Sequence, residues 1–463
     1  GTKRPRFSAL AYTPPAHLNE QQNLAVERAL QMRDYLLIHG PPGTGKTSVI
    51  AQIVRQFCQQ GQRVLLAAFT NQAVDNMLKR LESEGFTSFV RLGHDRSVDS
   101  SMQRYLLKRL VEQKETQQTA REALQNAPVV ASTTATWSSD KYIPPAFIDS
   151  ANGADAQGTE ALQFDVAIID EAGQLTLPAM LGALRFARRF ILVGDEKQLP
   201  PLVLSKEAGQ AGLSDSLFSA LKQADERYTQ EHAGAVSACV PLKMQYRMNR
   251  WISQFASQTF YRGELHPHPT VANRVLAFSA PRYGVDSEKP SITRALDPRM
   301  PLVFLDACSK PEIQEGIKTS NAEARIVRDV VAGLLARGID EGDIGIIAPY
   351  RAQVANLRRH LFAGDETRGW RALSPATRLS VDTVDRFQGG ERSIIIISFA
   401  TSVTPPAESQ LRDHLTNAHR LNVALTRAQR KLILIGNAAA LVELPVFREL
   451  VNYCRGEAGF IVS

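Results

Sequence analysis

The stretch GPPGTGKT fits a pattern that binds nucleotide phosphates. Its glycines let backbone N–H groups surround phosphate oxygens, and the helix behind the loop points its positive end at them. In this pattern Lys46 reaches the β- and γ-phosphates, and Thr47 reaches the magnesium ion. A chance glycine-rich turn is the plain alternative, and the complete pattern argues strongly against it. We predict that ATP and Mg²⁺ bind at Gly40, Pro41, Pro42, Gly43, Thr44, Gly45, Lys46 and Thr47.

An acidic pair follows the hydrophobic run VAII further along the chain. Asp170 would hold Mg²⁺, and Glu171 would polarise the water that attacks the γ-phosphate. Alone, two acidic residues after a strand are often only an exposed helix cap. The phosphate-binding pattern upstream makes the catalytic interpretation the stronger one.

Three further polar residues have the right chemistry for phosphoryl transfer. Gln198, in GDEKQLPPLV, could hydrogen-bond the γ-phosphate or the attacking water. Arg247 and Arg427 could stabilise charge on the transferring group, as a cation does in phosphoryl-transfer enzymes. A lone arginine is more often a surface charge or half of a salt bridge, so chemistry alone does not select these two.

The elements that must position these residues can be predicted from apolar patterns. The run 35–40 is typical of a buried strand and 46–61 of a helix, which is the context that a phosphate-binding loop requires. Further strands are predicted at RVLLAAF, FDVAIID and RFILVGD, with a helix over 71–83 for which Asn71 is the candidate N-cap. This alternation predicts a parallel sheet covered by helices.

A second alternation of strands and helices begins near residue 240. Strands are predicted at MPLVFLDA, DIGIIAP, RSIIIISFA and RKLILIG, and helices at 321–338, 350–361 and 420–429. This half has no phosphate-binding loop of its own. The prediction is an α/β protein of two lobes with one nucleotide site between them.

The predicted domain boundaries follow from these patterns and from composition. Residues 1–18 form an N-terminal extension, 19–204 the first lobe, 205–239 a connecting segment and 240–463 the second lobe. Residues 96–126 have apolar positions at helical spacing and predict a helical insertion in the first lobe. Residues 138–161 are polar and rich in small side chains, which predicts a flexible surface loop.

Composition limits the function classes. The 463 residues carry a net charge of +7, which permits nucleic-acid binding without indicating it. No run of about 18 apolar residues is present, so no membrane span is predicted. The four cysteines are far apart and include no Cys-x-x-Cys pair, which argues against a zinc ribbon or an iron–sulfur cluster within this chain. We expect a reducing compartment, either cytoplasmic or nuclear.

Eight segments occur in the order of known motifs: LNEQQ, GPPGTGKT, FTNQAVDN, DEAGQ, GDEKQLPP, QYRMN, TVDRFQGGE and LNVALTRA. In this order, over nearly the whole chain, they resemble motifs Q, I, Ia, II, III, IV, V and VI of superfamily 1 helicases, in the branch of the up-frameshift RNA helicase and senataxin. The resemblance implies two tandem RecA-like parallel-sheet lobes with a nucleotide site between them. It also implies an ATP-dependent helicase that moves 5′→3′.

The resemblance assigns roles to matching positions. It implies that Gln22 reads the adenine, Tyr246 stacks on it and Glu391 contacts the ribose, while Gln198, Arg247 and Arg427 sense the γ-phosphate. It further implies a groove for a single strand, lined by Thr70, Asn71, Val74 and Thr133 in the first lobe and by Pro349 and Thr383 in the second.

Within that branch the sequence looks most similar to the nuclease–helicases that process Okazaki-fragment flaps. The segments RFILVGDEKQLPPLV, FVRLG and RLNVALTRAQRKLILIGN carry this similarity. We therefore expect single-stranded DNA as the partner, a role in DNA replication or repair, and a monomer. The nuclease and barrel modules of such proteins would lie upstream in a larger parent protein.

Three alternatives stay open at this point. The motifs do not separate a DNA helicase from an RNA helicase, because a groove that follows the backbone reads phosphates rather than bases. A nucleic-acid-associated ATPase that remodels protein partners without unwinding would carry the same nucleotide site. A metabolite kinase has no use for the segments that resemble motifs Ia, V and VI, and is the weakest alternative.

Overall fold

The computed structural model describes residues 12–112, 120–139, 162–203, 205–278, 289–308, 318–363, 372–374, 376–387, 389–401 and 410–463. The chain divides into two compact units, Gly1–Lys243 and Met244–Ser463. Nearly all of the flexible loop predicted over 138–161 falls outside the described residues, as do residues 113–119 of the predicted insertion.

The first unit contains a seven-stranded sheet in the order β3-β4-β2-β5-β6-β1-β7, and every strand pair in it is parallel. Its strands are β1 (Tyr35–His39), β2 (Val64–Ala68), β3 (Phe89–Arg91), β4 (Val129–Thr133), β5 (Phe164–Asp170), β6 (Ala187–Gly194) and β7 (Cys239–Pro241). Its helices are α1 (Glu20–Gln31), α2 (Lys46–Gln59), α3 (Asn71–Ser83), α4 (Leu107–Glu112), α5 (Ala120–Asn126), α6 (Thr134–Trp137), α7 (Leu177–Leu184), α8 (Lys206–Ala208) and α9 (Leu217–Glu231).

Successive residues of the central strands enter different halves of the core. Leu36 and Ile38 belong to one apolar cluster, while Leu37 between them belongs to the other. Helices cover both faces of a parallel sheet, so its inner strands are apolar along their whole length. This explains why the runs in the sequence are continuous rather than alternating.

The second unit contains a six-stranded parallel sheet in the order β12-β11-β13-β14-β10-β15 and a two-stranded sheet, β8-β9. Its strands are β8 (Met244–Gln245), β9 (His266–Pro267), β10 (Leu302–Asp306), β11 (Ile344–Ala348), β12 (Ser380–Thr383), β13 (Arg392–Ser398), β14 (Ala428–Gly436) and β15 (Phe460–Val462). Its helices are α10 (Arg250–Phe260), α11 (Pro269–Ala272), α12 (Pro290–Ala295), α13 (Asn321–Ala336), α14 (Arg351–Phe362), α15 (Gln410–Thr416), α16 (Ala418–Leu425), α17 (Ala438–Leu441) and α18 (Pro445–Gly456).

The predicted α/β class, with a parallel sheet in each half of the chain, is confirmed by these two sheets. Two local details differ from the prediction. The N-cap of α3 is Thr70, whose side chain accepts a hydrogen bond from the Ala73 N–H, and Asn71 is the first residue of the helix. The 205–239 segment, predicted as a connector, contains α9 and the first residue of β7, which pairs with β1 in the first sheet.

Candidate nucleotide site and nucleic-acid interface

The carboxyl ends of β5, β6 and β1 lie side by side, because these strands are neighbours in the first sheet. The phosphate-binding loop follows β1, the acidic pair ends β5, and Gln198 follows β6. A hydrogen bond from the Gly40 N–H to the Gly194 carbonyl, 2.9 Å long, ties the beginning of the loop to the end of β6. The structure therefore brings these sequence-predicted residues to one edge of the sheet.

The loop itself has the backbone that its glycines permit. Gly43 and Gly45 have φ angles of 76° and 80°, in the left-handed region that favours glycine. Lys46 begins α2 and folds back over the loop, where its Nζ donates to the Gly40 carbonyl at 2.8 Å. The first N–H groups of a helix have no partners within that helix, so the start of α2 presents donors to an anion.

Gln22 reaches the same loop from α1. Its Nε2 donates to the Thr44 carbonyl at 2.9 Å, and its Oε1 accepts from the Asn19 N–H at 3.0 Å. The Asn19 side chain in turn accepts from the Gln22 N–H, which completes a capping box at the start of the helix. Gln22 thus lies against the phosphate-binding loop, and its contact with the adenine stays a prediction.

The two acidic residues have different surroundings. Asp170 is buried, and this burial together with the charge of Glu171 raises the pKa of Asp170 to about 7, while Lys46 acts in the opposite direction. Glu171 has a φ angle of 54° and its Oε2 accepts from Gln174 Nε2 at 2.9 Å. A buried carboxylate with a second carboxylate beside it favours the binding of a cation, because the cation neutralises both.

Sequence reasoning missed Asp195, which orients Gln198. Asp195 Oδ2 accepts from Gln198 Nε2 at 2.9 Å, and its Oδ1 lies 3.4 Å from His39 Nε2. The signal was available, because Asp195 directly follows β6, where a polar side chain reaches the same edge as Asp170. Glu196 lies 3.2 Å from the same histidine nitrogen and 2.9 Å from Lys222 Nζ, so this small charged group is balanced by a lysine.

Residues from three distant motifs meet in the second unit. Arg247 Nε forms an ion pair with the Glu391 carboxylate, and Arg247 Nη1 donates to the Thr426 carbonyl at 3.1 Å. The neighbouring Tyr246 lies against His268, with ring centroids 4.7 Å apart. Tyr246, Glu391 and Arg247, the residues predicted in this unit for the base, the ribose and the γ-phosphate, therefore lie close together.

Arg427 is buried, with 3% of its surface exposed, which excludes the surface-arginine alternative. Its Nε donates to the Val423 carbonyl at 3.0 Å and its Nη1 to the Gly390 carbonyl at 3.3 Å. Gly390 immediately precedes Glu391, so Arg427 also holds the segment that carries the predicted ribose contact.

The predicted strand-binding residues of the first unit lie along the other half of the sheet edge. Thr70 follows β2 and Thr133 ends β4, and these two strands are neighbours. Thr70 is exposed, Asn71 is half-buried and Thr133 is 9% exposed. Val74 is 0% exposed and packs in the apolar core, so it supports this surface from beneath and does not contact a strand.

The corresponding residues of the second unit also lie together. Pro349 follows β11 and Thr383 ends β12, and Ala348 pairs with Thr383 between these strands. The Pro349 carbonyl accepts from His414 Nε2 at 2.8 Å. Burial lowers the pKa of His414, and the nearby Arg420 lowers it further.

Two family models match the chain, and both are described as an AAA domain. One matches residues 213–439, and the other matches two overlapping stretches, 17–141 and 113–206. Together, the two matches extend from residue 17 to residue 439. None of the chain's helices within the described residues is both long and apolar enough to cross a membrane.

Curated relatives of this chain include the DNA replication ATP-dependent helicase/nuclease DNA2 of Mus musculus, 35% identical over 95% of this chain and 39% of the relative. JHS1 of Arabidopsis thaliana, a protein of the same description, is 34% identical over 96% of this chain and 30% of the relative. DNA2 of Saccharomyces cerevisiae is 33% identical over 94% of this chain and 27% of the relative. The chain thus spans well under half the length of these relatives, and the predicted resemblance to nuclease–helicases is confirmed.

Among solved structures, the Arterivirus nonstructural protein 10 (helicase) matches with a TM-score of 0.42 and 14% identity, covering 92% of this chain and 63% of that protein. The PRRSV helicase matches with a TM-score of 0.38 and 16% identity, covering 91% of this chain and 57% of that protein.

Proposed function

We propose that this chain is an ATP-dependent helicase and translocase on single-stranded DNA. The main observation is the row of side chains at the carboxyl edge of the first sheet, where a phosphate-binding loop, an acidic pair that includes the buried Asp170, and an oriented glutamine stand beside each other. The curated relatives support the same function, since their names describe ATP-dependent helicase/nucleases of DNA replication.

The chemistry proposed for this edge is hydrolysis of ATP. Lys46 binds the β- and γ-phosphates, and Glu171 accepts the proton of the attacking water. Thr47 and Asp170 supply the oxygen ligands that Mg²⁺ prefers. Burial and the charge of Glu171 raise the pKa of Asp170, and a bound cation would favour its ionised form instead. The ion, when bound, neutralises charge on the phosphates.

The γ-phosphate contacts are assigned to Gln198, Arg247 and Arg427. The Gln198 amide is oriented by Asp195, and an oriented donor loses little entropy when it binds. The two arginines supply positive charge for the transition state of phosphoryl transfer.

The base and ribose contacts are assigned to Gln22, Tyr246 and Glu391. Gln22 lies on the phosphate-binding loop, which supports its assignment. Glu391 is paired with Arg247, so binding of a ribose hydroxyl by Glu391 and of phosphate by Arg247 would replace this ion pair.

The contacts with single-stranded DNA are assigned to Thr70, Asn71, Thr133, Pro349 and Thr383. Within their units, these residues lie at or just after the carboxyl ends of β-strands. Polar side chains and backbone groups of this kind hold phosphates and sugars without reading sequence. We assign 5′→3′ movement from the helicase branch that the motifs resemble, and a monomer as the active form.

The test is the ATPase rate without polymer, with single-stranded DNA and with RNA, followed by unwinding of duplexes with 5′ or 3′ tails. We expect stimulation by DNA and unwinding from the 5′ tail only, with Lys46→Ala as the inactive control. Stimulation that requires RNA would indicate an RNA helicase, because only RNA offers the 2′-hydroxyl. An ATPase rate that neither polymer changes would favour the protein-remodelling ATPase.

A further inference from the structure

A fully buried arginine lies beneath the strand-binding edge of the first unit. Arg91, the last residue of β3, has 0% of its surface exposed. Its Nε donates to Asp75 Oδ1 at 2.8 Å, and its Nη2 donates to Asn71 Oδ1 at 2.8 Å. Its Nη1 donates to the Leu92 carbonyl, so all three nitrogens of the guanidinium are engaged.

Asp75 is equally well enclosed. It is 3% exposed, and its second oxygen accepts from the Asp99 N–H at 2.8 Å. A buried ion pair of this kind is weak evidence for stability, because apolar residues of similar volume stabilise a core as well or better. A task beyond stability is therefore a reasonable expectation for Arg91.

The chemistry of the guanidinium fixes the orientation of Asn71. An arginine side chain has only donors, whereas an asparagine amide has an acceptor oxygen and a donor NH2 group. Oδ1 of Asn71 must therefore face Arg91, and both N–H bonds of Nδ2 must point away from it. Asn71 is half-buried at the start of α3, beside the exposed Thr70 and Phe69.

We propose that Arg91 is a positioning residue for nucleic-acid binding, which holds the Asn71 amide with its NH2 directed at a backbone phosphate of the single strand. Asp75 supports Arg91 by balancing its charge. The inference rests on the proposed function, because it deepens the assignment of Asn71 as a strand contact. A donor that is fixed before binding loses less entropy on binding than a free side chain does.

Asn71→Asp is the sharpest variant, because it keeps the shape and removes both donors. The new carboxylate would accept from Arg91 and repel a phosphate. We expect the dissociation constant for a labelled oligothymidine, measured by fluorescence anisotropy, to rise about tenfold or more, with an unchanged or higher melting temperature. Strand affinity equal to that of the wild type would overturn the proposal.

The role of Arg91 itself is tested by a double-mutant cycle. Arg91→Lys keeps a charge for Asp75 but lacks the planar fork that reaches three partners. We expect it to weaken strand binding severalfold in the wild-type background and less than about twofold in the Asn71→Ala background. Equal effects in the two backgrounds would show that Arg91 does not act through Asn71, and would overturn the proposal.

Arg189→Lys is the matched control. Arg189 donates to an amide oxygen, Gln62 Oε1, at 2.7 Å and to the Met32 carbonyl at 3.1 Å, near the amino end of β6. The Arg189→Lys variant should have a lower melting temperature and an unchanged affinity for the single strand. If Arg91→Lys does not fold, Asn71→Asp still tests the proposal, because wild-type strand affinity in that variant would overturn it. A wild-type chain that binds no single strand would overturn the proposed function, and this inference with it.

Discussion

Asp170 and Glu171 are adjacent, yet their surroundings suit them to different tasks. Asp170 is enclosed at the end of β5, where burial raises its pKa to about 7 and favours a cation as its partner. Glu171 is only partly buried, and Gln174 holds its carboxylate. A φ angle of 54° at a non-glycine residue costs energy, and such strain is commonly found where a side chain must be aimed.

At this scale we predict that Glu171→Gln keeps nucleotide affinity and loses nearly all ATP turnover. The amide retains the size of the side chain but cannot accept the proton of the attacking water, and loss of such a base typically costs about 10²- to 10⁴-fold in rate. The measurement is the steady-state ATPase rate beside the affinity for a fluorescent ADP analogue.

Lys46→Ala serves as the contrasting variant, because it removes a phosphate contact and should weaken nucleotide affinity itself. Near wild-type hydrolysis by Glu171→Gln would show that another group activates the water, and would remove Glu171 from the proposed mechanism.

At the scale of elements, the phosphate-binding loop depends on its contact with α1. A Cβ atom on Gly45 would lie 2.5 Å from Gln22 Nε2, closer than real Cβ contacts come, and the φ angle of 80° is strained for any L residue. Gly45→Ala should therefore displace Gln22 or the loop, and we expect nucleotide affinity to fall about tenfold or more.

Gly61→Ala is the control for a general loss of stability through backbone strain. Gly61 follows α2 with a φ angle of 71°, but nothing lies within 4 Å of a Cβ placed there. This variant should lose about 1 kcal/mol of stability through backbone strain and keep its nucleotide affinity. Equal losses of affinity in the two variants would show that nucleotide affinity follows overall stability and not the local geometry of the loop at Gly45.

A second element-scale feature joins α13 to the end of β13. Glu323 is 0% exposed, and its carboxylate accepts from the Ala400 N–H, the Thr401 N–H and the Ser398 hydroxyl. Burial nevertheless raises the pKa of Glu323 to about 7. Since the folded-state pKa exceeds the ordinary value, the stabilisation from the protonated group is complete below about pH 4.5 and is lost as the pH rises through about 7.

We therefore predict that Glu323→Gln loses more stability relative to the wild type at pH 5 than at pH 8, by about 3 kcal/mol. The measurement is the free energy of unfolding in urea, taken as the difference between variant and wild type at each pH. This difference removes the contribution of Lys431, whose pKa burial lowers to about 7 and which therefore changes the stability of both proteins above that pH. Glu443→Gln, at an exposed carboxylate, should show no such change. A difference that grows with pH would mean that the three donors keep Glu323 ionised.

The sequence predicts elements better than it predicts contacts. Strand, loop and helix around the phosphate-binding loop could be read directly, because apolar runs and glycines report local backbone and burial. The pairing of Arg247 with Glu391 could not, because 144 residues separate them and many cations compete for each carboxylate. The motif match predicts Val74 at the surface although it is buried, because such a match carries no information about which side of a helix is buried.

At the scale of the whole molecule, the net charge of +7 suits the proposed binding of negatively charged single-stranded DNA. A chain that binds phosphates with lysine and arginine releases counterions, and each such contact contributes about 0.7 to the slope of log affinity against log salt for single strands. Because the strand contacts assigned above are uncharged, other lysines and arginines must supply these phosphate contacts, and we predict a slope of about 2 or steeper with little base preference, measured by anisotropy on oligothymidine and mixed sequences. A shallow slope with strong sequence preference would indicate a protein that reads bases.

The last prediction concerns Arg427, the arginine of the second unit that we assign to the γ-phosphate. Arg427 belongs to Met244–Ser463, whereas Lys46, Thr47 and Glu171 belong to Gly1–Lys243. A cation that meets charge developing in the transition state affects turnover far more than it affects the binding of a product such as ADP. We predict that Arg427→Ala binds ADP almost as the wild type does.

The same variant should lose about 10³-fold or more of its DNA-stimulated ATPase rate, the typical effect of removing such a cation. Arg427 also donates to the Gly390 carbonyl, so the melting temperature must be measured alongside, and the exposed Arg448→Ala provides the matched control. If a folded Arg427→Ala retained stimulated hydrolysis, the role of Arg427 would be structural, through contacts such as those with the Val423 and Gly390 carbonyls. The coupling of ATP turnover to movement would then need a different residue in the second unit.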